Sequence, residues 1–300
     1  MRLSFLRILV GLFIEPLLLL AARCPPQKRR RWGTFLGKIA GRLLFRRREV
    51  IRSNLRRAFP SLTTEEEQQL ITDHLSHLGE SLIELFAFAR LPPEALRELI
   101  VIEGEEHLRE ALEQGRGALI CSAHLGNWEL LLRAGLLSEV PVTVLSKRLR
   151  ISIAQLAWER LRRSTPMRLD ENTFRSARTL RRRLKAGQIV ADVIDQHAPS
   201  PRAMRLPFFG HSASTSATLA RLSLQSGAPL LTAFITREGA RHHLQIGPIL
   251  SLPEVGLSPE DSSRALTLQL LQRLERQIRT HPAQWLWLHR RWKPVPNPKD

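Results

Sequence analysis

The sequence predicts an α/β protein, a central mixed sheet flanked by helices, and three observations carry that expectation. Short apolar runs at 118–122, 142–145, 189–194 and 229–235 have the length of buried strands. Helix-like segments separate them, at about 127–137, 151–163, 173–186 and 214–226. Neither an internal repeat nor a long Gly/Ser linker divides the 300 residues, so the alternation points to one sheet covered on both faces.

Taken in order, the chain begins with a mostly apolar stretch from Leu3 to Ala22, broken by Arg7, Gly11, Glu15 and Pro16. A clean spanning helix needs roughly 20 predominantly apolar residues, and Glu15 with Pro16 interrupts this one. Arg23, the cluster Lys28-Arg29-Arg30-Arg31 and then Arg46-Arg47-Arg48 follow, a pattern suited to a cytoplasmic surface rich in anionic lipid. The expectation is an N-terminal apolar membrane-anchor helix with its basic flank over residues 1–31, spanning the membrane or lying in its interface. A single α/β domain over 32–300 follows it. A buried N-terminal helix is the alternative; a removed signal peptide lacks a small-x-small cleavage site ahead of the basic cluster.

Thr64 and Glu67 have capping-box spacing and open a predicted helix to about Arg90, with Leu70, Ile71, Leu75, Leu78, Leu82 and Leu85 in its apolar stripe. Glu105 to Gln114 reads as another helix, stopped by Gly115. Beyond the last strand, Ser258-Pro259 is an N-cap and first-turn pair for a long helix to about Arg279. The tail from Trp285 to Trp292 mixes aromatics and cations as interfacial segments do, or forms a final strand.

Forty-six Lys and Arg against 28 Asp and Glu give a net charge of +18, so the chain should prefer anionic partners. Nucleic acid, an acidic membrane surface and an acidic carrier protein all qualify. The absence of Tyr, and six Trp without an RNA-binding pattern, count against nucleic acid. The arginine-rich helix over 175–185 is read as a solvated face able to dock an acidic surface. Cys24 and Cys121 make no disulfide framework and no metal-ligand spacing, and Cys121 reads as a small buried hydrophobe.

The sharpest chemistry lies in Ala118-Leu-Ile-Cys-Ser-Ala-His124-Leu-Gly-Asn-Trp-Glu129. A strand ends at a histidine, passes a Gly-Asn turn and enters a helix bearing a glutamate. Residues five apart on a helix point roughly 140° away from each other, so the two side chains meet only if His124 precedes the helix. A carboxylate against an imidazole fixes its tautomer and stabilises the imidazolium formed on taking a proton. Two other patterns are weaker. Gly210-His-Ser212-Ala-Ser214 lacks the last glycine of a nucleophile elbow and follows Pro207-Phe-Phe, a poor strand ending. His242 and His243, adjacent on a strand, should point to opposite faces.

His124-Leu-Gly-Asn-Trp-Glu129 resembles the HX4(D/E) motif of the lipid A biosynthesis acyltransferase family, the lauroyl- and myristoyltransferases related to lysophospholipid acyltransferases. Trp158-Glu-Arg160 resembles the family's W-x-R segment. Val193-Ile-Asp195-Gln-His, Pro207-Phe-Phe-Gly210 and the Thr/Ser-rich stretch 213–218 follow in the family's order, over roughly residues 50–290. Gln196-His197-Ala198 and Ser146-Lys-Arg-Leu-Arg150 depart from the residues found there in many relatives, which bears on the acceptor more than on the reaction.

The resemblance implies transfer of a fatty acyl group from a thioester on acyl carrier protein or coenzyme A to a lipid hydroxyl, with no cofactor or metal. The place implied is the cytoplasmic face of a bacterial inner membrane. His124 would be the base and Glu129 its orienting carboxylate. Arg160 or a backbone N–H near Gly126 and Asn127 would face the oxyanion, and Asp195 would position Arg160 or the acceptor. Gly126, Asn127 and Arg148 are the expected substrate-binding residues. The acceptor expected is a lipid A precursor, with another phospholipid or glycolipid as alternative; the rival reading is a non-catalytic basic adaptor for membrane or nucleic acid.

Overall fold

The computed structural model describes residues 15–43, 45–89, 91–145, 155–156, 161, 168–170, 173–253 and 255–293. Seven strands form one mixed sheet, as the alternation predicts: β1 (Ile100–Glu103), β2 (Ala118–Ser122), β3 (Val142–Leu145), β4 (Arg168–Asp170), β5 (Ile189–Val193), β8 (Leu230–Glu238) and β9 (Arg241–Ile246). Their order is β1-β9-β8-β2-β5-β3-β4. The pairings are parallel except for the β8–β9 hairpin, whose two-residue connection Gly239-Ala240 needs no crossover. Leaving β2, the chain builds β3 and β4 on one side and later returns to place β8 on the other. Ligands gather at such reversals, outside the carboxyl ends of the strands.

Period-two alternation explains how both faces are buried. Leu119, Cys121 and Val190 point into one core with Leu180 and Leu184 of α7 (Thr173–Lys185), Leu219 and Leu222 of α8 (Thr218–Ser226), and Leu266, Leu270 and Leu274 of α9 (Pro259–Thr280). Ala118, Ile189, Leu231 and Ala233 point into the other. They meet Leu96 of α4 (Pro93–Leu99), Ala111 of α5 (Glu105–Glu113), and Leu130 and Ala134 of α6 (Trp128–Ala134).

Three expectations are corrected. The segment 214–226 is not one helix: β6 (Met204–Phe208) and β7 (His211–Thr215) form a hairpin before α8 begins. Pro207-Phe208 does end a strand, but it turns through Gly210 into a second strand and not into a helix, so no nucleophile elbow forms. The tail is neither interfacial nor a strand. Trp285 and Trp287 are 1% and 0% exposed, and Trp285 makes a single bridge to Leu125. Its rings pack edge-on against one another and against Phe208. His242 is buried and His243 half-buried, as opposite faces require.

The N-terminal anchor expected over 1–31 falls outside the described residues up to residue 14. Residues 15–23 are helical, and α1 (Pro26–Leu43) runs across the boundary expected at residue 31. Among the described residues no helix is long and apolar enough to cross a membrane. Trp32, Phe35, Leu36 and Leu43 nevertheless stand exposed along α1, three to four or seven residues apart and so on one stripe. After α2 (Phe45–Ala58), α3 (Thr64–Phe88) starts one residue earlier than its expected capping box. Thr63 accepts the Glu66 N–H, and Glu66 returns to the Thr63 N–H at 2.8 Å. Two threonines followed by three glutamates allow either register; Glu67 is drawn inward by Arg52 and Arg56, at 2.9 and 2.7 Å.

The close crossing of α1 and α3 depends on glycine. A Cβ on Gly79 would stand 2.0 Å from the Gly33 carbonyl oxygen, and one on Gly33 2.4 Å from the Glu80 Cα. Gly79→Ala should therefore destabilise the protein by about 1–3 kcal/mol through overpacking, read as a lower urea midpoint. An unchanged midpoint would mean that α1 only rests on α3.

Candidate active site

β2 ends at Ser122, and Ala123 and His124 follow; its parallel neighbour β5 ends at Val193, and Ile194 and Asp195 follow. Parallel neighbours end on the same side of a sheet, so two residues 71 positions apart in sequence meet. Asp195 Oδ1 lies 2.9 Å from His124 Nδ1, and Oδ2 accepts the His124 backbone N–H at 2.9 Å. The Trp285 indole N–H donates to the same Oδ2, also at 2.9 Å.

These partners decide the charges. Burial pushes the Asp195 carboxyl up, but the His124 charge, its two N–H donors and the indole outweigh burial and hold Asp195 at about 2. Burial likewise lowers His124, while the charge and hydrogen bond of Asp195 raise it. Glu129 and Asp192 add to the rise, and His124 ends above the ordinary imidazole value. An ionised carboxylate at Nδ1 keeps the proton there and leaves the lone pair on Nε2. The Gln196 amide nitrogen stands 3.4 Å from Nδ1 and 3.3 Å from Nε2. Near-equal distances at this range place it over the ring, out of the plane of the Nε2 lone pair.

The Leu125-Gly126-Asn127 turn that lets His124 precede α6 is tightly held. Gly126 has φ +58°, and a Cβ there would meet the Ile235 carbonyl oxygen at 2.0 Å, so only glycine fits. Its N–H donates to the Gln284 carbonyl at 3.0 Å and its C=O accepts from His77 Nε2 at 3.3 Å. Asn127 Oδ1 caps α6 through the Leu130 N–H, and Nδ2 donates to Glu84 at 2.9 Å. Two of the three residues expected to bind substrate, Gly126 and Asn127, form the turn and the cap, and the Gly126 N–H is committed within the protein.

Beneath the turn lies a partly buried ionic cluster. Arg237 donates to Glu80 at 2.9 Å, to Glu84 at 2.6 Å and to His77 Nδ1 at 3.0 Å. Because Arg237 can only donate, His77 Nδ1 accepts, which leaves Nε2–H for Gly126. Burial pushes Glu84 up, but His242, 3.4 Å away, and Arg237 bring it down to about 2. No signal along the sequence announces this cluster, whose members come from α3, β8 and β9.

A cavity of about 1090 Å³ opens beside the imidazole. Ile120, Val142 and Val144 of the sheet and Leu131, Leu132 and Leu137 beyond it line an apolar part that suits a hydrocarbon chain. Glu129, buried on α6, shares the wall with His124. The HX4E spacing assigns the orienting carboxylate to Glu129; the bond to Nδ1 comes from Asp195. Arg148 and Arg160 lie outside the described residues. A base with its lone pair directed at an apolar cavity is equipped to activate a hydroxyl beside a lipid chain.

A family model described as bacterial lipid A biosynthesis acyltransferase matches residues 2–294. The chain is 28% identical to the lipid A biosynthesis palmitoleoyltransferase of Escherichia coli (strain K12), over 88% of this chain and 84% of the relative. It is also 28% identical to the lipid A biosynthesis lauroyltransferase of that organism, over 89% and 85%. A phosphatidylinositol mannoside acyltransferase of Mycolicibacterium smegmatis (strain ATCC 700084 / mc(2)155) is 24% identical over 81% and 79%.

Glu84→Ala should leave the Arg237 guanidinium, with 9% of its side chain exposed, short of one buried partner and strip Asn127 of its acceptor. A loss of about 1–3 kcal/mol in chemical denaturation is expected; a loss within experimental error would show the cluster to be dispensable.

Proposed function

The chain belongs to the bacterial lipid A biosynthesis acyltransferase family and is an acyltransferase acting on lipids, and on that premise we propose that it moves a fatty acyl group from an acyl carrier protein thioester to a hydroxyl of a lipid A precursor. Family membership sets aside the non-catalytic adaptor. The observation that carries the reading is the His124–Asp195 pair on the wall of a largely apolar cavity.

In the proposed reaction the acceptor hydroxyl gives its proton to His124 Nε2 while its oxygen attacks the thioester carbonyl carbon. Asp195 stabilises the imidazolium that forms, and Glu129 adds to the negative field on the ring. With the Gly126 N–H committed, Arg160 or the Asn127 N–H is left to face the oxyanion. Collapse of the tetrahedral intermediate breaks the C–S bond, and His124 returns its proton to the leaving thiolate. The thioester supplies the activation, so no cofactor enters.

Exposed Arg178, Arg181, Arg182 and Lys185 on α7, beside the cavity-lining Ala177, support docking of an acidic carrier. The exposed stripe of α1, flanked by Lys28, Arg31, Lys38 and Arg42, supports attachment to anionic lipid at the cytoplasmic face of a bacterial inner membrane. The likeness to a phosphatidylinositol mannoside acyltransferase favours a second acceptor class, a phospholipid-based glycolipid.

Transfer of labelled acyl groups from carrier protein and from coenzyme A into purified lipids tests donor and acceptor together. His124→Ala should cost at least about 10²–10⁴-fold in rate, and retained activity would remove His124 from the mechanism. Neutral His124 is the reactive form, so activity falls as pH drops through its raised pKa. Asp195→Asn removes the largest influence that raises that pKa and leaves burial, so the acid limb should move to lower pH as the rate falls.

A further inference from the structure

The cavity also has a polar part. Its wall comes from the loop after Asp195 and from the start of α8, and includes Gln196, Ser200, Arg202, Ser216, Thr218 and Arg221. Two features distinguish it. From Gln196 to Arg237 the chain contains no Asp or Glu, whereas Arg202, Arg205, Arg221 and Arg237 lie within that stretch. The cavity's carboxylates, Glu105, Glu129 and Asp192, come from other segments. The wall is also built and not merely frayed. Arg221 Nη1 donates to the Arg202 carbonyl at 2.9 Å, the Arg202 N–H donates to Ser200 Oγ at 3.2 Å, and Ser216 and Thr218 share a hydroxyl hydrogen bond of 2.9 Å. Ala198 is tied to β7 through Ser214, at 3.2 Å by backbone and 2.7 Å by side chain.

Arg221 lines the cavity with Nη1 held by the Arg202 carbonyl, and a fork of N–H donors matches a phosphate better than a neutral hydroxyl. We propose that Arg221, with the hydroxyls of Ser216 and Thr218, forms a phosphate-ester subsite that fixes the polar end of a substrate while its acyl or hydroxyl end lies at His124. The inference rests on the acyl-transfer reading, which supplies two sources of such a group: the phosphopantetheine arm of the thioester donor and a phosphate on the acceptor headgroup. Either would be held by residues separate from the apolar ones that take the chain.

Binding, measured without turnover, tests this on the full chain in detergent. Calorimetric titrations compare 4′-phosphopantetheine with pantetheine, and a phosphorylated amino sugar with the same sugar lacking phosphate. In the wild type, one phosphorylated probe should bind about 10–100-fold more tightly than its phosphate-free partner. The difference should collapse in Arg221→Ala and be partly kept in Arg221→Lys, with melting temperatures showing that both variants fold. A preference within the pantetheine pair identifies the donor, and one within the sugar pair the acceptor. No preference in either pair, or an equal one in Arg221→Ala, overturns the subsite. His124→Ala should bind as the wild type does while transferring nothing, so failure of transfer is read separately.

Discussion

Asp195 carries a charge that water barely reaches, and the site is organised around satisfying it. An ionised carboxylate without partners in such a place would cost far more than the protein's margin of stability. Three donors meet it: the His124 ring, the His124 backbone and the Trp285 indole. They come from two different parts of the fold. β2 and β5 must be parallel neighbours for the first two, and the C-terminal tail must return to the sheet for the third. Topology, tail and catalytic tautomer are thus consequences of one buried carboxylate.

A second set of charges, partly buried, secures the next turn. Arg237 from β8 binds Glu80 and Glu84 of α3, and Glu84 holds Asn127, the cap of the helix that bears Glu129. The same Glu80 accepts from Thr34 of α1 at 3.2 Å. A continuous line of polar contacts therefore runs from the exposed apolar helix α1 to the loop beside His124. Replacing a single member removes a hydrogen bond from its partners, and these bonds tie α1, α3 and β8 together.

The parts of the fold read correctly from sequence are those where local periodicity is strong. The four apolar runs became β2, β3, β5 and β8, and the helices at 105–113, 128–134, 173–185 and 259–280 lie where their patterns put them. Reading failed where tertiary context decides. The register of the Thr63 cap depends on Arg52 and Arg56 drawing Glu67 inward. The β6–β7 hairpin was hidden because Pro207 and Gly210 look like loop residues, although Met204, Leu206 and Phe208 alternate inward. The tail's aromatics looked interfacial because tryptophan suits both a wet boundary and a dry core. In the site, His124 was legible from its motif, but its Nδ1 partner was not: the nearby Glu129 was the obvious candidate, and only strand order brings Asp195 to the ring.

The account stands on Asp195 holding the proton at Nδ1 so that Nε2 faces the cavity as a base. Nitrogen-15 NMR of selectively labelled histidine reads this directly at a pH above the His124 pKa. His124, assigned by its loss in His124→Ala, should show a protonated Nδ1 and an unprotonated Nε2, and Asp195→Asn should weaken or mix that state. A protonated Nε2 in the wild type would contradict the account, because the nitrogen facing the substrate would then have no lone pair to offer.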